Sequence, residues 1–182
     1  MNELRHAVIE DFGNGYASFG HSELMGRIVG LLLCSPRPLA VDHIAEELNV
    51  SKSPVNQICR RLEEINLIRK VWLKGERKYH YQIVEDVFLQ ASINLSRLNE
   101  GNLRMAERHL QAVAKMLPQA GDEEKAELRV IGQRLIEMRE FYRRLIDSYR
   151  RFIDEWRASR SVLPSLDEFL SPAGNRATDT QR

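Results

Sequence analysis

One stretch, from Ser51 to Asn66, constrains the fold most tightly because it has the pattern of a short helix with two chemically different faces. Its apolar residues recur at spacings of three and four and therefore share one inward stripe. These residues are Val55, Ile58, Leu62 and Ile65. The opposite face is polar and basic, and it carries Lys52, Ser53, Asn56, Gln57 and Arg60. Such side chains can hydrogen-bond base edges and phosphate oxygens.

The ends of this helix also have recognisable signals. Ser51 stands at the N-cap position, where we expect its hydroxyl to accept a bond from a first-turn amide. Pro54 falls within the first turn, where few backbone N–H groups have helical partners. Asn66 stands where a helix ends in a left-handed residue.

The segments on either side extend the helix into a larger motif. Val41 to Leu48 predicts a preceding helix, and the short link Asn49–Val50 makes the pair a helix-turn-helix. Leu67 to Leu73 is rich in β-formers, and Lys74 to Arg77 is a turn. From Lys78 to Ile83 the chain alternates, with Tyr79, Tyr81 and Ile83 on one side and Lys78, His80 and Gln82 on the other. This order predicts a winged helix-turn-helix whose hairpin has a basic tip.

Basic charge is concentrated around this motif. The whole chain has a formal net charge of +1, but residues 51–81 hold eight Lys and Arg side chains against three Glu. A local cationic region of this kind is what a polyanion such as DNA requires.

Helices are predicted on both sides of the motif. One runs from Glu3 to about Tyr16, and a buried one runs from Ser22 to Ser35, where Gly26 and Gly30 allow another backbone to approach. A short strand is expected at Leu39–Val41. After Val84 the pattern is helical to about Arg157, with a kink or break at residues 99–102 and a turn at residues 118–122.

The last long helix carries a heptad seam that predicts dimerisation. Its residues are Leu128, Ile131, Leu135, Met138, Tyr142, Leu145, Tyr149, Phe152 and Trp156. The fold class is therefore mainly α, with a winged helix-turn-helix domain at 1–83, a helical dimerisation region at 84–160 and a tail at 161–182. Leu166 to Leu170 predicts a small amphipathic piece in the tail, and we expect disorder from Ala173 to Arg182.

Several classes of function are disfavoured. The five histidines and two cysteines have no metal-ligand spacing, and no phosphate-binding or nucleophile motif occurs, so we expect neither an enzyme nor a cofactor. Two lone cysteines and the lack of a leader or a long apolar run favour a cytoplasmic protein without membrane contact. Cys59 admits a redox-sensor reading, but a buried apolar role is favoured.

Five segments together resemble the MarR superfamily of bacterial and archaeal repressors, and its GbsR-like branch in particular: Met25–Leu33, Ile44–Leu48, Val50–Ser53, Leu67–Trp72 and Lys74–Lys78. The resemblance covers about Gly20 to Ile83. It implies that the Ser51 helix enters the major groove, that the hairpin tip lies along the minor groove with Arg77 as wing arginine, and that flanking helices form a homodimer. Pro54 and Asn66 depart from the family pattern, which usually has a small hydroxyl residue and Gly there.

The resulting hypothesis is a homodimeric regulator of transcription, a repressor responding to a small-molecule or stress signal, with double-stranded DNA, a second copy and an unidentified effector as partners. The candidate DNA-binding residues are Ser51, Lys52, Ser53, Asn56, Gln57, Arg60, Arg61, Lys74, Arg77 and Lys78. Two alternatives stay open: a winged helix used only for protein interaction, and a small-molecule or redox sensor whose DNA binding is secondary. Tyr142, Tyr149, Phe152 and Trp156 admit an aromatic cage for a quaternary ammonium ligand, although core packing is favoured.

Overall fold

The computed structural model describes residues 2–171 as a mainly helical chain with one small sheet. The elements are α1 (Glu3–Ser18), α2 (Glu23–Leu33), β1 (Leu39–Ala40), α3 (Val41–Glu47), α4 (Lys52–Glu64), β2 (Ile68–Trp72), β3 (Tyr79–Ile83), α5 (Val87–Met116), α6 (Asp122–Arg160) and α7 (Leu166–Leu170). They form two compact units, Met1–Asn94 and Leu95–Arg182. No helix within residues 2–171 is long and apolar enough to cross a membrane.

The first unit is built on close packing between α1 and α2. A Cβ atom added at Gly26 would lie 2.2 Å from the backbone oxygen of Phe12, and one added at Gly30 would lie 3.0 Å from the Phe12 Cβ. The predicted backbone approach at these two glycines is therefore confirmed. Helix α1 also continues to Ser18, past Gly13 and Gly15, because its contact with α2 offsets the low helix propensity of glycine.

The wing strands join a three-stranded antiparallel sheet in the order β1-β3-β2. Ala40 pairs with His80 on one side of β3, and Val71 pairs with His80 on the other. The alternating pattern of β3 does not separate a buried side from an exposed one along the strand. His80 and Tyr81 are both buried, whereas Tyr79 is 58% exposed.

The predicted ends of α4 are only partly confirmed. Asn66 has φ 56°, so it takes the left-handed conformation that closes the helix, as predicted. Ser51 is the N-cap residue, but its side chain makes no capping hydrogen bond, so the expected bond was wrong. Its hydroxyl therefore does not accept a hydrogen bond from a backbone amide at the start of α4.

Helix α5 runs unbroken through residues 99–102, where the sequence predicted a kink or break, so the break is not present. The slip in its apolar pattern marks a change of packing partners. Val87 is buried in the core of the first unit, and the Asn94 amide donates 2.8 Å to the Ile65 carbonyl at the end of α4. Farther along, Ser96, Asn99 and Ala106 are buried in the second unit. The compact units divide after Asn94, whereas the sequence suggested a boundary after residue 83.

A substitution tests the continuity of α5. A Cβ atom at Gly101 would meet no atom within 4 Å. Gly101→Ala is therefore expected to stabilise the protein by about 0.5–1 kcal/mol, since alanine loses less backbone entropy in a helix. Urea unfolding measures the change. Gly75→Ala, at a residue with φ +88°, should destabilise it instead, and a destabilising Gly101→Ala would argue against an unbroken helix.

In the second unit, α6 packs antiparallel against the part of α5 that follows residue 94. The Arg139 guanidinium lies 3.6 Å from Glu107, and Arg150 lies 3.6 Å from Glu100. A Cβ atom at Gly132 would touch Val113 at 3.4 Å. These contacts pack one apolar face of α6 against α5.

The predicted heptad seam is split by this packing into two rows. One row begins at Leu128, which is buried. Ile146 and Ile153 lie beside this row and are buried as well. The other row, at strict spacings of seven, stays half-buried or exposed and consists of Ile131, Met138, Leu145 and Phe152. The remaining seam residues, Leu135, Tyr142, Tyr149 and Trp156, are half-buried.

The small segment predicted at Leu166 to Leu170 in the tail is helical, and none of its residues is buried. Helix α7 spans Leu166–Leu170 and begins with a capping box between Ser165 and Glu168. Residues 173–182, for which disorder was predicted, lie outside the described residues.

Candidate nucleic-acid interface

Helix α4, which we call the recognition helix, is fixed to the core by one face. Val55, Cys59 and Leu62 are each 0% exposed. Their burial leaves the opposite face of the helix in solvent. All ten candidate DNA-binding residues of α4 and the wing are exposed: Ser51, Lys52, Ser53, Asn56, Gln57, Arg60, Arg61, Lys74, Arg77 and Lys78.

The wing, defined as β2, β3 and the loop between them, presents a basic tip. Gly75 in that loop has φ +88°, a conformation that glycine adopts without strain. Lys74 and Arg77 flank the turn and are exposed. Where the strands meet the loop, Trp72 packs edge-on against Tyr79 with ring centroids 5.1 Å apart, and both rings remain 58% exposed. Trp72 therefore packs against its cross-strand neighbour although its ring is not buried.

Asp42 makes a contact at this surface that the sequence did not reveal. Its Oδ1 lies 2.8 Å from Nζ of Lys52 at the start of the recognition helix, and its Oδ2 accepts a hydrogen bond from Nζ of Lys78 in the loop of the wing. The hydrogen bonds from Lys52 and Lys78 lower the pKa of Asp42 to about 2. No local spacing indicates this contact, because Lys78 is 36 residues away along the chain.

A second ion pair lies beside the recognition helix. Lys70 on β2 contacts Glu63 at 2.6 Å, and its ammonium lies 5.8 Å from the centroid of the Tyr81 ring. The hydrogen bond to Glu63 raises the pKa of Lys70. Arg61, on the recognition helix nearby, stays exposed.

An open groove of about 480 Å³ separates the recognition helix from the wing. The groove is lined by four cationic side chains, which are Lys52, Arg60, Lys70 and Lys78, and by the carboxylate of Asp42. The surplus of positive charge suits a phosphate backbone rather than an apolar ligand.

Cys59 lies under this surface and does not face it. Its side chain is 0% exposed, and burial raises the pKa of its thiol to about 12. A thiol is a poor nucleophile because the thiolate is the reactive form. These observations favour the apolar packing role over the redox-sensor reading.

The described residues contain no group of three His, Cys, Asp or Glu side chains able to hold a metal ion. The proposed aromatic cage is also constrained by geometry. Tyr142 and Trp156 are fourteen residues apart on α6, or about 21 Å along a helix. A cation–π contact requires a ring within about 6 Å, so these two rings of one chain cannot enclose the same ammonium group.

Comparison with known families decides what kind of domain this surface belongs to. A family described as winged helix-turn-helix DNA-binding matches residues 23–69, which include α2, β1, α3 and α4. The chain contains a winged helix-turn-helix domain. This agrees with the fold class predicted from the sequence.

Similar proteins lie among bacterial regulators. The HTH-type transcriptional repressor OpcR of Bacillus subtilis (strain 168) is 28% identical over 102 residues, which cover 54% of this chain and 55% of that protein. YvaV of the same organism is 28% identical over 88 residues, covering 48% and 50%. The chain thus matches about half the length of these curated relatives. The family and the relative named as a repressor are not enzymes, in agreement with that prediction.

A solved structure is similar over a longer span. The crystal structure of a transcriptional regulator has a TM-score of 0.56 and 21% identity, and the match covers 81% of this chain and 98% of that chain. At this identity the likeness supports the fold alone.

Proposed function

We propose that the protein is a homodimeric, sequence-specific DNA-binding repressor of transcription in the GbsR-like branch of the MarR superfamily. The observation that carries the proposal is the exposure of every candidate DNA-binding residue on the recognition helix and the wing. Similarity to a repressor through the winged domain supports the same function.

On DNA, the recognition helix lies in the major groove and its residues divide two tasks. Asn56 and Gln57 have amide groups that pair with adenine, and Arg60 pairs with guanine or phosphate. The Ser and Lys side chains at the helix start bind phosphate oxygens. Arg77 at the wing tip enters the narrow minor groove, where the negative potential is strongest.

The second unit supplies the dimer contact. The exposed row of α6 includes Ile131 at 42% and Phe152 at 48%, and Phe141 beside them is 60% exposed. A second copy that covers this row removes apolar area from water. Two recognition helices related by a two-fold axis then read half-sites about 10 base pairs apart.

A regulatory signal acts by changing the distance between the two recognition helices. The effector, a small molecule or a stress signal, would act through the helical second unit. A spacing error of a few ångströms prevents both helices from docking at once, so that affinity falls towards that of a single domain. Ligand-dependent melting temperature detects such an effector.

Selection of bound sequences from a random DNA pool, followed by binding titrations across salt, tests the proposal. Specific binding with an affinity that falls steeply as salt rises is expected, because Lys and Arg release counterions from phosphates. Affinity that does not change with salt would contradict it. Charge reversal at Lys52 and Arg60 addresses the protein-interaction alternative, which predicts loss of a protein contact with nucleic-acid affinity unchanged.

Two single substitutions test the division of labour. Gln57→Ala is expected to relax preference at one base pair and to cost about 1–3 kcal/mol on the selected sequence. Arg77→Ala should weaken binding to many sequences in parallel and reduce the salt slope by about one. Competition binding with single-base variants of the selected site measures both effects. Parallel loss on all sequences from both substitutions would contradict the separate roles.

A further inference from the structure

We propose that Asp42 is a specificity-determining positioning residue, whose carboxylate fixes Lys52 of the recognition helix and Lys78 of the wing in one relative arrangement. The inference rests on the proposed DNA-binding function and deepens it. It assigns a role at the DNA surface to an acidic residue of α3 that itself would repel phosphate.

The geometry joins three elements at one group. Each carboxylate oxygen of Asp42 has its own ammonium partner, with Oδ1 at 2.8 Å from Lys52 and Oδ2 bound to Lys78. Asp42 lies in the first turn of α3, Lys52 is the first residue of α4, and Lys78 directly precedes β3. A single side chain thus spans the gap between the recognition helix and the loop of the wing.

Both lysines remain available to DNA while Asp42 holds them. Their side chains are 66% and 65% exposed. An ammonium group has three donors, so one bond to Asp42 leaves two that can reach phosphate oxygens. Asp42 therefore aims the two cations and does not remove them from the surface.

The negative charge of Asp42 determines whether the residue strengthens or weakens DNA binding. A carboxylate beside the groove repels the phosphates of every duplex, whatever its sequence. The two fixed ammonium groups favour only a duplex whose phosphates meet them while its bases lie opposite the recognition helix in the correct register. Asp42 consequently lowers non-specific affinity and widens the gap between specific and non-specific binding.

Fold stability does not explain the contact. Ion pairs between exposed side chains contribute little to stability because water screens them. The low pKa of Asp42 keeps the carboxylate ionised throughout the physiological range, so that the contact does not act as a pH switch.

The experiment compares Asp42→Asn with Glu46→Gln in the full-length protein. Glu46 is exposed one turn farther along α3, so the control removes the same charge from the same helix. Affinities are measured for a duplex chosen from the random pool and for an unrelated duplex of equal length. Both variants are expected to bind the unrelated duplex roughly threefold to tenfold more tightly. Asp42→Asn alone should lower the ratio of specific to non-specific affinity, by about fivefold or more.

Further measurements separate the outcomes. In a background carrying Lys52→Gln and Lys78→Gln, Asp42→Asn should no longer alter the ratio, as a double-mutant cycle requires of groups that act together. Backbone order parameters at the start of β3 should fall in Asp42→Asn without DNA. An unchanged ratio in Asp42→Asn, or an equal change in Glu46→Gln, overturns the inference while the proposed function stands. A wild-type protein that binds no duplex overturns both.

Discussion

Gly26→Ala is expected to lower the free energy of unfolding by about 3 kcal/mol or more, through overpacking in the core. The new Cβ atom would lie 2.2 Å from the backbone oxygen and 2.7 Å from the backbone carbon of Phe12. A backbone cannot rotate away as a side chain can, so α1 must shift away from α2. Thermal and urea unfolding measure the loss.

Gly15→Ala is the matched control on the same helix pair. No atom lies within 4 Å of a Cβ atom at Gly15. Alanine there is expected to stabilise the protein by about 0.5–1 kcal/mol, through helix propensity alone. A variant at Gly26 that is as stable as the variant at Gly15 would contradict the close contact between α1 and α2.

The double variant Phe141→Asp and Phe152→Asp is expected to convert the proposed dimer into a monomer. Both side chains belong to the exposed side of α6, at 60% and 48%. Placing two carboxylates in an apolar contact leaves charges without partners. Affinity for a two-half-site duplex should fall by about a hundredfold or more, because the second recognition helix no longer binds as part of the same molecule. Sedimentation and binding titration measure the two effects.

Ile136→Asp serves as the control for the dimer prediction. Ile136 is 51% exposed on the same helix, but it is five residues from Phe141 and therefore about 140° away around the helix axis. Its replacement should leave the sedimentation coefficient and the DNA affinity unchanged. A wild-type protein that sediments as a monomer, or a double variant that remains dimeric, would refute the assignment of this face.

Local spacing determined which residues of the recognition helix face inward. Val55 and Leu62 are spaced so that any α-helix must place them on one side, and burying that side leaves Asn56 and Arg60 in solvent. Asn66 took the left-handed conformation for an equally local reason, since asparagine tolerates positive φ at a helix end. Gly26 and Gly30 indicated close packing because a glycine pair in a buried helix leaves room for another backbone.

Contacts between distant segments were decided only by the tertiary structure. His80 pairs with Ala40 of β1 and is buried, although it lies on the polar side of the alternating pattern, which contains no information about the segments that cover β3. The apparent break in α5 reflects a change of packing partner around Asn94, and helical periodicity cannot distinguish such a change from a kink. The seam of α6 similarly combined side chains that pack against α5 with others that stay exposed.

Asp42 shows the physical reason for this division. As a member of α3 it is an ordinary first-turn carboxylate, favoured there by the helix dipole. Its two lysine partners come from the start of α4 and from the wing loop just before β3, and only folding brings their ammonium groups to one carboxylate. The sequence determined the faces of each helix because side-chain direction repeats locally. The tertiary structure alone decided which faces and charges meet, because that depends on segments that are remote along the chain.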